Sequence, residues 1–195
     1  MQHVKSKQTN NLDIIVELLN HIYKKIYNNP KSISKDDYDT ILRWYKSTNL
    51  KYQVKDKAEL QQIISHIVYE IEPCANLNWL DVSEITNMNG LFRDMPFNGD
   101  ISDWDVSQVK DMSNMFDHCV QFTGINTNLS NWDVSKVENM DGMFYTCSFN
   151  GIHNDLDNWD VSSVKDMQKM FAYSPFNGDI SKWDVSRVKY MNSMF

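Results

Sequence analysis

The chain has 195 residues, 42% of them hydrophobic, and a formal net charge of −7 at pH 7. This composition supports a folded core of one or two domains and excludes a disordered tail. The charge is uneven, because residues 1–72 carry 11 Lys/Arg and 9 Asp/Glu, whereas residues 73–195 carry 8 and 17. The acidic second part argues against nucleic acid as a partner, since phosphate binding requires a basic surface.

No secretory signal or membrane-spanning segment is visible in the sequence. The first apolar stretch, residues 12–27, is interrupted by charged residues, and no apolar run approaches the ~20 residues that a membrane helix needs. The three cysteines are an odd number without a signal, which favours reduced thiols. We therefore expect a cytoplasmic protein that does not insert into membranes.

Three helices are predicted in the first third of the chain. Residues 12–27 form the first, which ends at Pro30. Ser34 and Asp37 form a capping box that begins the second. Asp56 precedes the third, which ends at Pro73. The three apolar stripes are Ile15, Leu18, Leu19, Ile22 and Ile26; Tyr38, Ile41, Leu42 and Tyr45; and Leu60, Ile63, Ile64, Ile67, Val68 and Ile71.

These helices predict a small all-α domain over residues 1–73. It could cover the open end of the region that follows, as the terminal units of repeat proteins do. It could instead be a separate interaction module. The short connection to Leu77 favours the first alternative.

A repeated segment occupies the rest of the chain. Trp104-Asp105-Val106-Ser107 and the Val, Met and Phe that follow recur, with one degenerate copy from Leu80 to Phe92. The aspartates of the five copies are separated by 24, 28, 27 and 24 residues. A regular period of this length indicates a solenoid, here of about five coils over residues 74–195.

The apolar pattern predicts the structure of each repeat. Ile101, Trp104 and Val106 follow the spacing of a leucine-rich-repeat strand. Ser107 then caps a short helix whose apolar face runs from Val109 to Phe116. The predicted fold class is α/β: a right-handed leucine-rich-repeat-like solenoid with a parallel sheet and short helices, preceded by the all-α domain.

These residues resemble the BspA-like leucine-rich repeat proteins, in the branch built from the mycoplasma-type repeat of unknown function. That family repeats Phe-Asn-x-Asp-Ile-Ser-x-Trp-Asp-Val-Ser-x-Val-x-x-Met-x-x-Met-Phe, and residues 97–116 and 176–195 match it closely. The resemblance covers roughly residues 77–195. It implies adhesion or partner binding without assigned chemistry, at a cell surface, and it extends to proteins of large DNA viruses.

The aspartates of the five repeats are the main candidate functional residues. In the predicted strand they would point outwards on the concave face, one per coil, where like charges repel. Either each carboxylate accepts backbone N–H groups of its own turn, or the column binds a cation or a basic partner. The cation ladder would be Asp81, Asp105, Asp133, Asp160 and Asp184.

The expected function is a non-enzymatic protein-interaction scaffold without a cofactor, since no catalytic motif or zinc-ligand spacing occurs. The alternatives are a cell-surface adhesion protein and a purely structural repeat protein. The predicted partner surface is the concave face, with Asn78, Trp79, Asp81, Asp103, Asp105, Asn131, Asp133, Asn158, Asp160, Lys182 and Asp184. Trp79 could instead pack against the helical domain.

Other side chains of the repeats are assigned to the core or to the last coil. The tryptophans after Trp79 replace an inward leucine, and Cys119 and Cys147 are expected to be reduced and structural. The last copy stops at Phe195, before the Phe-Asn-Gly turn that follows in earlier copies. We expect this uncapped coil to fray, to self-associate or to have been cut from a longer array.

Overall fold

A computed structural model of the chain describes residues 17–18, 20–152 and 156–195. Helix α1 includes residues 17–18 and 20–28, with Ile22 and Ile26 buried and Leu18 exposed. Ile15 and Leu19 of the predicted stripe lie outside the described residues. A short 3₁₀ helix, Pro30–Ser32, follows, and the Asn29 side chain accepts a hydrogen bond from Lys31 N.

Helix α2, Lys35–Thr48, begins at the predicted capping box. The Ser34 hydroxyl accepts from Asp37 N, and the Asp37 carboxylate accepts from Ser34 N, which confirms the predicted start. Tyr38, Ile41 and Tyr45 are buried along one face, and Asn49 ends the helix in a left-handed conformation.

Helix α3, Lys57–His66, is capped by the Asp56 side chain as the sequence predicts. It continues as a π-helical turn, Ile67–Ile71, which the sequence pattern did not indicate. The predicted stripe of this helix is buried from Leu60 to Val68, because it packs into the single apolar core that runs through the described residues.

A strand between α2 and α3 attaches the helical residues to the first repeat. Strand β1, Tyr52–Gln53, pairs in parallel with strand β2, Leu80–Asp81, and the sequence analysis predicted only the second of them. Tyr38 Oη also donates to Asn76 O, and Lys57 Nζ donates to Asn89 O. These contacts support the capping role for the helical unit. The domain boundary at residue 73 stays a prediction.

We number the repeats 1 to 5 from their first apolar residue: 77–100, 101–128, 129–155, 156–179 and 180–195. Within each repeat the structure differs from the predicted strand and helix. Residues 101–106 contain a turn, closed by Trp104 N donating to Ile101 O, and Ser107 begins a second turn instead of a helix. In repeat 4 the first turn is the 3₁₀ helix Leu156–Asn158.

The segment predicted as a short helix carries the pairing between repeats. Isolated parallel bridges connect each repeat to the next at one position: Asn87, Asp111, Asn139, Asp166 and Tyr190. The residues that follow form consecutive turns, and two positions in each of repeats 1 to 4 have positive φ, as at Asn114 (56°) and His118 (54°) in repeat 2. Left-handed residues prevent an α-helix, because its residues all need the right-handed conformation.

Most hydrogen bonds of this pairing run in one direction. Met88 N, Gly90 N, Phe92 N and Asp94 N donate to Asp111 O, Ser113 O, Met115 O and Asp117 O. Equivalent bonds join the later repeats, so N–H groups face the following repeat and C=O groups face the preceding one. A minority of the bonds run the other way, as from Lys110 N to Thr86 O. The repeats thus form a parallel stack of turns. The leucine-rich-repeat solenoid class stays a prediction.

Aromatic columns fill the stack. Phe92, Phe116, Phe144 and Phe171 lie nearly parallel, with ring centroids 5.3–5.6 Å apart. The predicted burial of the tryptophans is confirmed, and each indole N–H donates to a carbonyl of the preceding repeat, as Trp159 Nε1 does to Leu129 O at 2.8 Å. Cys119 and Cys147 are also buried, and burial raises the pKa of the Cys119 thiol to about 12.

Repeat 5 is less covered than the others. Val185, Met191 and Phe195 are exposed, although their counterparts at the valine, methionine and phenylalanine positions of repeats 2 to 4 are buried. The predicted self-association through this repeat stays a prediction.

Candidate interaction surface

The five predicted aspartates lie in register along one side of the stack. Each accepts the backbone N–H of the serine or equivalent residue two positions later, as Asp105 Oδ1 does from Ser107 N at 3.0 Å. The same bond, also at 3.0 Å, is made by Asp81, Asp133, Asp160 and Asp184. This is the Asx turn of the first alternative. We call these five residues the aspartate column.

The Asx turns stabilise the ionised carboxylates. Hydrogen bonds from the backbone N–H and hydroxyl of Ser107 lower the pKa of Asp105, and Ser186 does the same for Asp184. The hydroxyl and backbone N–H of Ser135 lower the pKa of Asp133, while the charge of Asp105 opposes this change. The carboxylates of Asp105, Asp133 and Asp184 are therefore held in their charged form, and Asp105 and Asp133 repel each other.

Two further Asx columns occur in the same repeats, and they mix asparagine with aspartate. One contains Asn76, Asp100, Asn128 and Asp179, and the other contains Asn87, Asp111, Asn139 and Asp166. Asparagine amides donate to the next carboxylate, from Asn87 Nδ2 to Asp111 Oδ2 at 3.2 Å and likewise from Asn76 to Asp100. At these two contacts a hydrogen bond replaces a like-charge contact, and two ionised aspartates cannot form such a bond because neither carries a donor.

Two residues of the predicted partner surface are buried. Trp79 is fully buried, with its ring centroid 6.4 Å from that of Tyr52, because the helical unit covers repeat 1. Asn78 is 2% exposed, and its Oδ1 accepts from Asp103 N in the next repeat. The prediction that Asn78 and Trp79 contact a partner is therefore wrong.

The remaining predicted residues are exposed except for Asp81, which is half-buried, and some of them are held by contacts. Asp103 accepts from Tyr45 Oη at 2.7 Å, so its carboxylate is held by the helical unit. Lys182 pairs with the buried carboxylate of Asp157 in the preceding repeat. Asn131 and Asn158 are exposed in the same column as Asp103 and Lys182. The aspartate column is consequently the longest uniform row among the predicted residues.

Among the described residues, the structure contains no preformed metal site for the cation alternative. In residues 17–18, 20–152 and 156–195, no three His, Cys, Asp or Glu side chains are grouped as ligands of one ion. Each Asp of the column directs one oxygen to its own turn, as described for Asp105. The cation ladder stays a prediction.

A basic pocket lies on the same face of the repeats, and the sequence analysis missed it. Its volume is about 260 Å³, and its lining includes Lys110, Lys136, Lys165 and Arg187. The sequence feature that indicates the pocket is the short side chain of Ser163, at the position where repeats 3 and 5 have Lys136 and Arg187. Only an alignment of the exposed positions of the repeats would have shown it.

The comparisons with known proteins identify the family. The family described as Mycoplasma protein of unknown function, DUF285, matches residues 58–154 and 148–195. The chain belongs to this family. The DUF285 match begins inside helix α3, upstream of the region around residue 77 where the sequence resemblance begins. The searches of curated proteins and of solved structures found no match.

The structure also bears on membrane insertion. Among the described residues, every helix is too short or too polar to cross a bilayer. The DUF285 match does not specify a location, so the expected cytoplasmic location stays a prediction.

Proposed function

We propose that the chain is a non-enzymatic protein-interaction scaffold whose aspartate column binds basic side chains of a protein partner. The observation that carries the proposal is the difference between the three Asx columns. Two of them mix asparagine and aspartate, whereas the third contains aspartate in all five repeats.

The fold does not require a carboxylate at these positions. Asparagine makes the same Asx turn, as Asn128 does when its Oδ1 accepts from Ser130 N at 2.9 Å. Carboxylates in neighbouring repeats, about 5 Å apart, repel each other even in water. A retained cost of this kind supports a role in binding, since cationic groups on a partner would offset the repulsion.

A protein fits the length of the column better than a small molecule does. Five repeats spaced about 4.8 Å apart extend over roughly 19 Å. Asp105, Asp133, Asp160 and Asp184 are exposed along this length. Repeat proteins commonly bind partners along such extended surfaces. The BspA-like resemblance, which implies adhesion or partner binding, supports the same role.

The test is capture of proteins from the source cells by the intact chain and by two variants, one with three substitutions and one with two. The test variant carries Asp105→Asn, Asp133→Asn and Asp160→Asn, which keep the Asx acceptors and remove three charges. The matched control carries Asp111→Asn and Asp166→Asn in a mixed column. We expect partner recovery to fall at least tenfold with the test variant and less than twofold with the control.

Thermal unfolding of both variants separates binding from folding. We expect the test variant to unfold at the same temperature as the intact chain or above it, since like-charge contacts are removed. Equal recovery of the partner by the intact chain and the test variant would refute the proposal.

Cell-surface adhesion is the second candidate, and the match to a Mycoplasma-type family supports it. Adhesion requires export, so it predicts the chain in the surface fraction of intact source cells, where added protease should degrade it. Recovery of protected, cytosolic protein alone would remove this candidate and leave the interaction scaffold in place.

The cation ladder is tested with calcium. It predicts that millimolar calcium raises the unfolding temperature in a saturable way and that a chelator reverses the change. Identical unfolding curves with calcium and with chelator would exclude it.

A further inference from the structure

We propose that the pocket over Ser163 binds a phosphoryl group or a similar tetrahedral oxyanion. The pocket lies beside the aspartate column, because its lining residue Ser135 donates to Asp133. The proposal does not rest on the protein-interaction function. Its volume of about 260 Å³ is below the roughly 300–1,000 Å³ of sites for whole organic ligands. It therefore suits one charged group.

The register of the repeats explains why the pocket exists. The position after the Val-Ser pair holds Lys136 in repeat 3, Ser163 in repeat 4 and Arg187 in repeat 5. Repeats stack about 4.8 Å apart, so the short serine leaves a gap with long cations about 10 Å apart on either side. An oxyanion between them can accept hydrogen bonds of about 2.7–2.9 Å from both sides.

Cations are concentrated at this pocket. Residues 73–195 contain eight Lys/Arg, and four of these eight line it: Lys110, Lys136, Lys165 and Arg187. The rest of this region is strongly acidic, so half of its cations gather at one pocket against the regional charge.

The ion pairs among the residues that line the pocket leave it with a net positive charge. Glu138 pairs with Lys165, and hydrogen bonding to Lys165 together with its charge lowers the pKa of Glu138. Lys136 donates to Gln108 Oε1, which neutralises no charge. In the part of the chain that the structure describes, Lys110 and Arg187 take part in no ion pair. The lining therefore holds four cations and one carboxylate, a net positive charge, although Lys136 attracts the carboxylates of Asp105 and Asp133 and Arg187 attracts that of Asp184.

The donor types fit a phosphoryl group. A guanidinium offers two parallel N–H donors to two oxygens, and ammonium groups neutralise charge at close range. Ser163 adds a hydroxyl at the pocket. The carboxylates of Asp133 and Asp184 on the same face oppose anions, but each directs one oxygen to the backbone of its own turn.

The experiment is calorimetric titration of the full chain with inorganic phosphate, at constant ionic strength set with chloride. We expect saturable binding at one site. Arg187→Ala removes the guanidinium with its two parallel N–H donors. Ser163→Gln fills the gap with the residue type that repeat 2 has at this position. Each change should weaken binding about tenfold, whereas Lys46→Ala on α2 should change the dissociation constant less than twofold.

Two further variants make the outcome decisive. Glu138→Gln should strengthen phosphate binding severalfold, because it releases Lys165. The variant with Asp105→Asn, Asp133→Asn and Asp160→Asn should bind phosphate at least as well as the intact chain, so loss of partner capture and loss of phosphate binding are separable.

The source of the phosphoryl group is tested with a phosphoserine peptide that is otherwise neutral. Tighter binding than inorganic phosphate assigns the group to a protein, and equal or weaker binding assigns it to a small molecule; both results support the site. Unsaturable binding of phosphate, or an equal loss with Lys46→Ala and Arg187→Ala, would overturn the proposal. Far-UV circular dichroism confirms that each titrated variant is folded.

Discussion

The helical unit and the repeats bury apolar residues at similar spacing, yet they use different local structures. In α3, Leu60, Ile63 and Ile64 are buried because a helix repeats every 3.6 residues. In repeat 2, Met112 and Met115 are buried because a turn with an i to i+3 hydrogen bond returns the chain to the core. A three-residue spacing of apolar residues therefore does not distinguish a helix from these turns. The capping residues at the ends of the segment distinguish them.

The two regions also differ in what stabilises them. The helices satisfy their hydrogen bonds internally and are fixed by caps such as Ser34 and Asp56. The repeats satisfy many backbone groups only across repeats, as from Phe116 N to Met143 O. We therefore expect changes at contacts between repeats to cost more than changes at the ends of the helices.

The largest effect is expected for Gly99→Ala. A Cβ at this position would lie 1.9 Å from Ala75 O, a backbone atom that accepts from Asp100 N. The backbone of two adjacent segments would have to separate, so unfolding free energy should fall by more than about 3 kcal/mol. Chemical denaturation measures this value.

The control for that change is Gly90→Ala. Gly90 has φ +60°, but only the Arg93 side chain approaches, at 3.8 Å, and equivalent positions carry Asn114 and Lys169. Its cost should be about 1 kcal/mol, from backbone strain alone. Equal costs at Gly99 and Gly90 would show that close approach between segments is not what limits stability.

Trp159→Phe should have the next largest effect. The indole N–H bonds Leu129 O, and the ring is stacked between Trp132 and Trp183 at 6.5 and 6.4 Å. Loss of the hydrogen bond and of buried volume should cost about 2–3 kcal/mol in denaturant unfolding. Trp44→Phe in the half-buried part of α2 is the control, and it should cost less than about 1 kcal/mol.

Ser34→Ala tests the helical side of the comparison. It removes the acceptor for Asp37 N, so the helix loses one cap and about 1 kcal/mol of stability. Ser47→Ala, near the end of the same helix, should stay within about 0.5 kcal/mol of the intact chain. A larger loss for Ser34→Ala than for Trp159→Phe would reverse the expected order of the two regions.

The smallest effect is expected for Asp105→Asn combined with Asp133→Asn. Hydrogen bonds lower the pKa of both carboxyls in the folded state, so they stabilise the fold above the unfolded pKa of about 3.9. That contribution is lost as pH falls through the folded pKa.

The variant should therefore lose less stability than the intact chain between about pH 5 and pH 3. At pH 7 the two should agree within about 1 kcal/mol, because both groups are exposed and screened. Unfolding curves at several pH values measure this, and a steeper acid loss in the variant would contradict it.

The sequence alone was sufficient to predict the elements in which capping residues accompany a periodic apolar pattern. Ser34, Asp37 and Asp56 located two helices, and the Trp-Asp-Val-Ser period located the repeats and their buried columns. The π-helical turn and strand β1 were missed, because each depends on packing against repeat 1 instead of on local pattern.

The structure within each repeat was misassigned for a physical reason. Positive φ at positions such as Lys169 (53°) and Tyr173 (58°) is not visible in residue types that seldom adopt it. Gly90 and Asn114 at one of these positions were the available signal. The sequence left Trp79 either against the helical unit or on the partner surface, because covering by a distant segment leaves no mark in its own repeat.

The common direction of the hydrogen bonds between repeats gives the stack an electrical polarity. Aligned peptide groups leave partial negative charge at the end where their carbonyls point, as at the C-terminus of a helix. That end faces the helical unit, and Lys57 Nζ lies there, bound to Asn89 O and Asn87 Oδ1. Lys57 thus acts as a counter-charge for a dipole that becomes longer with each repeat. A repeat inserted in the reverse direction would oppose this dipole.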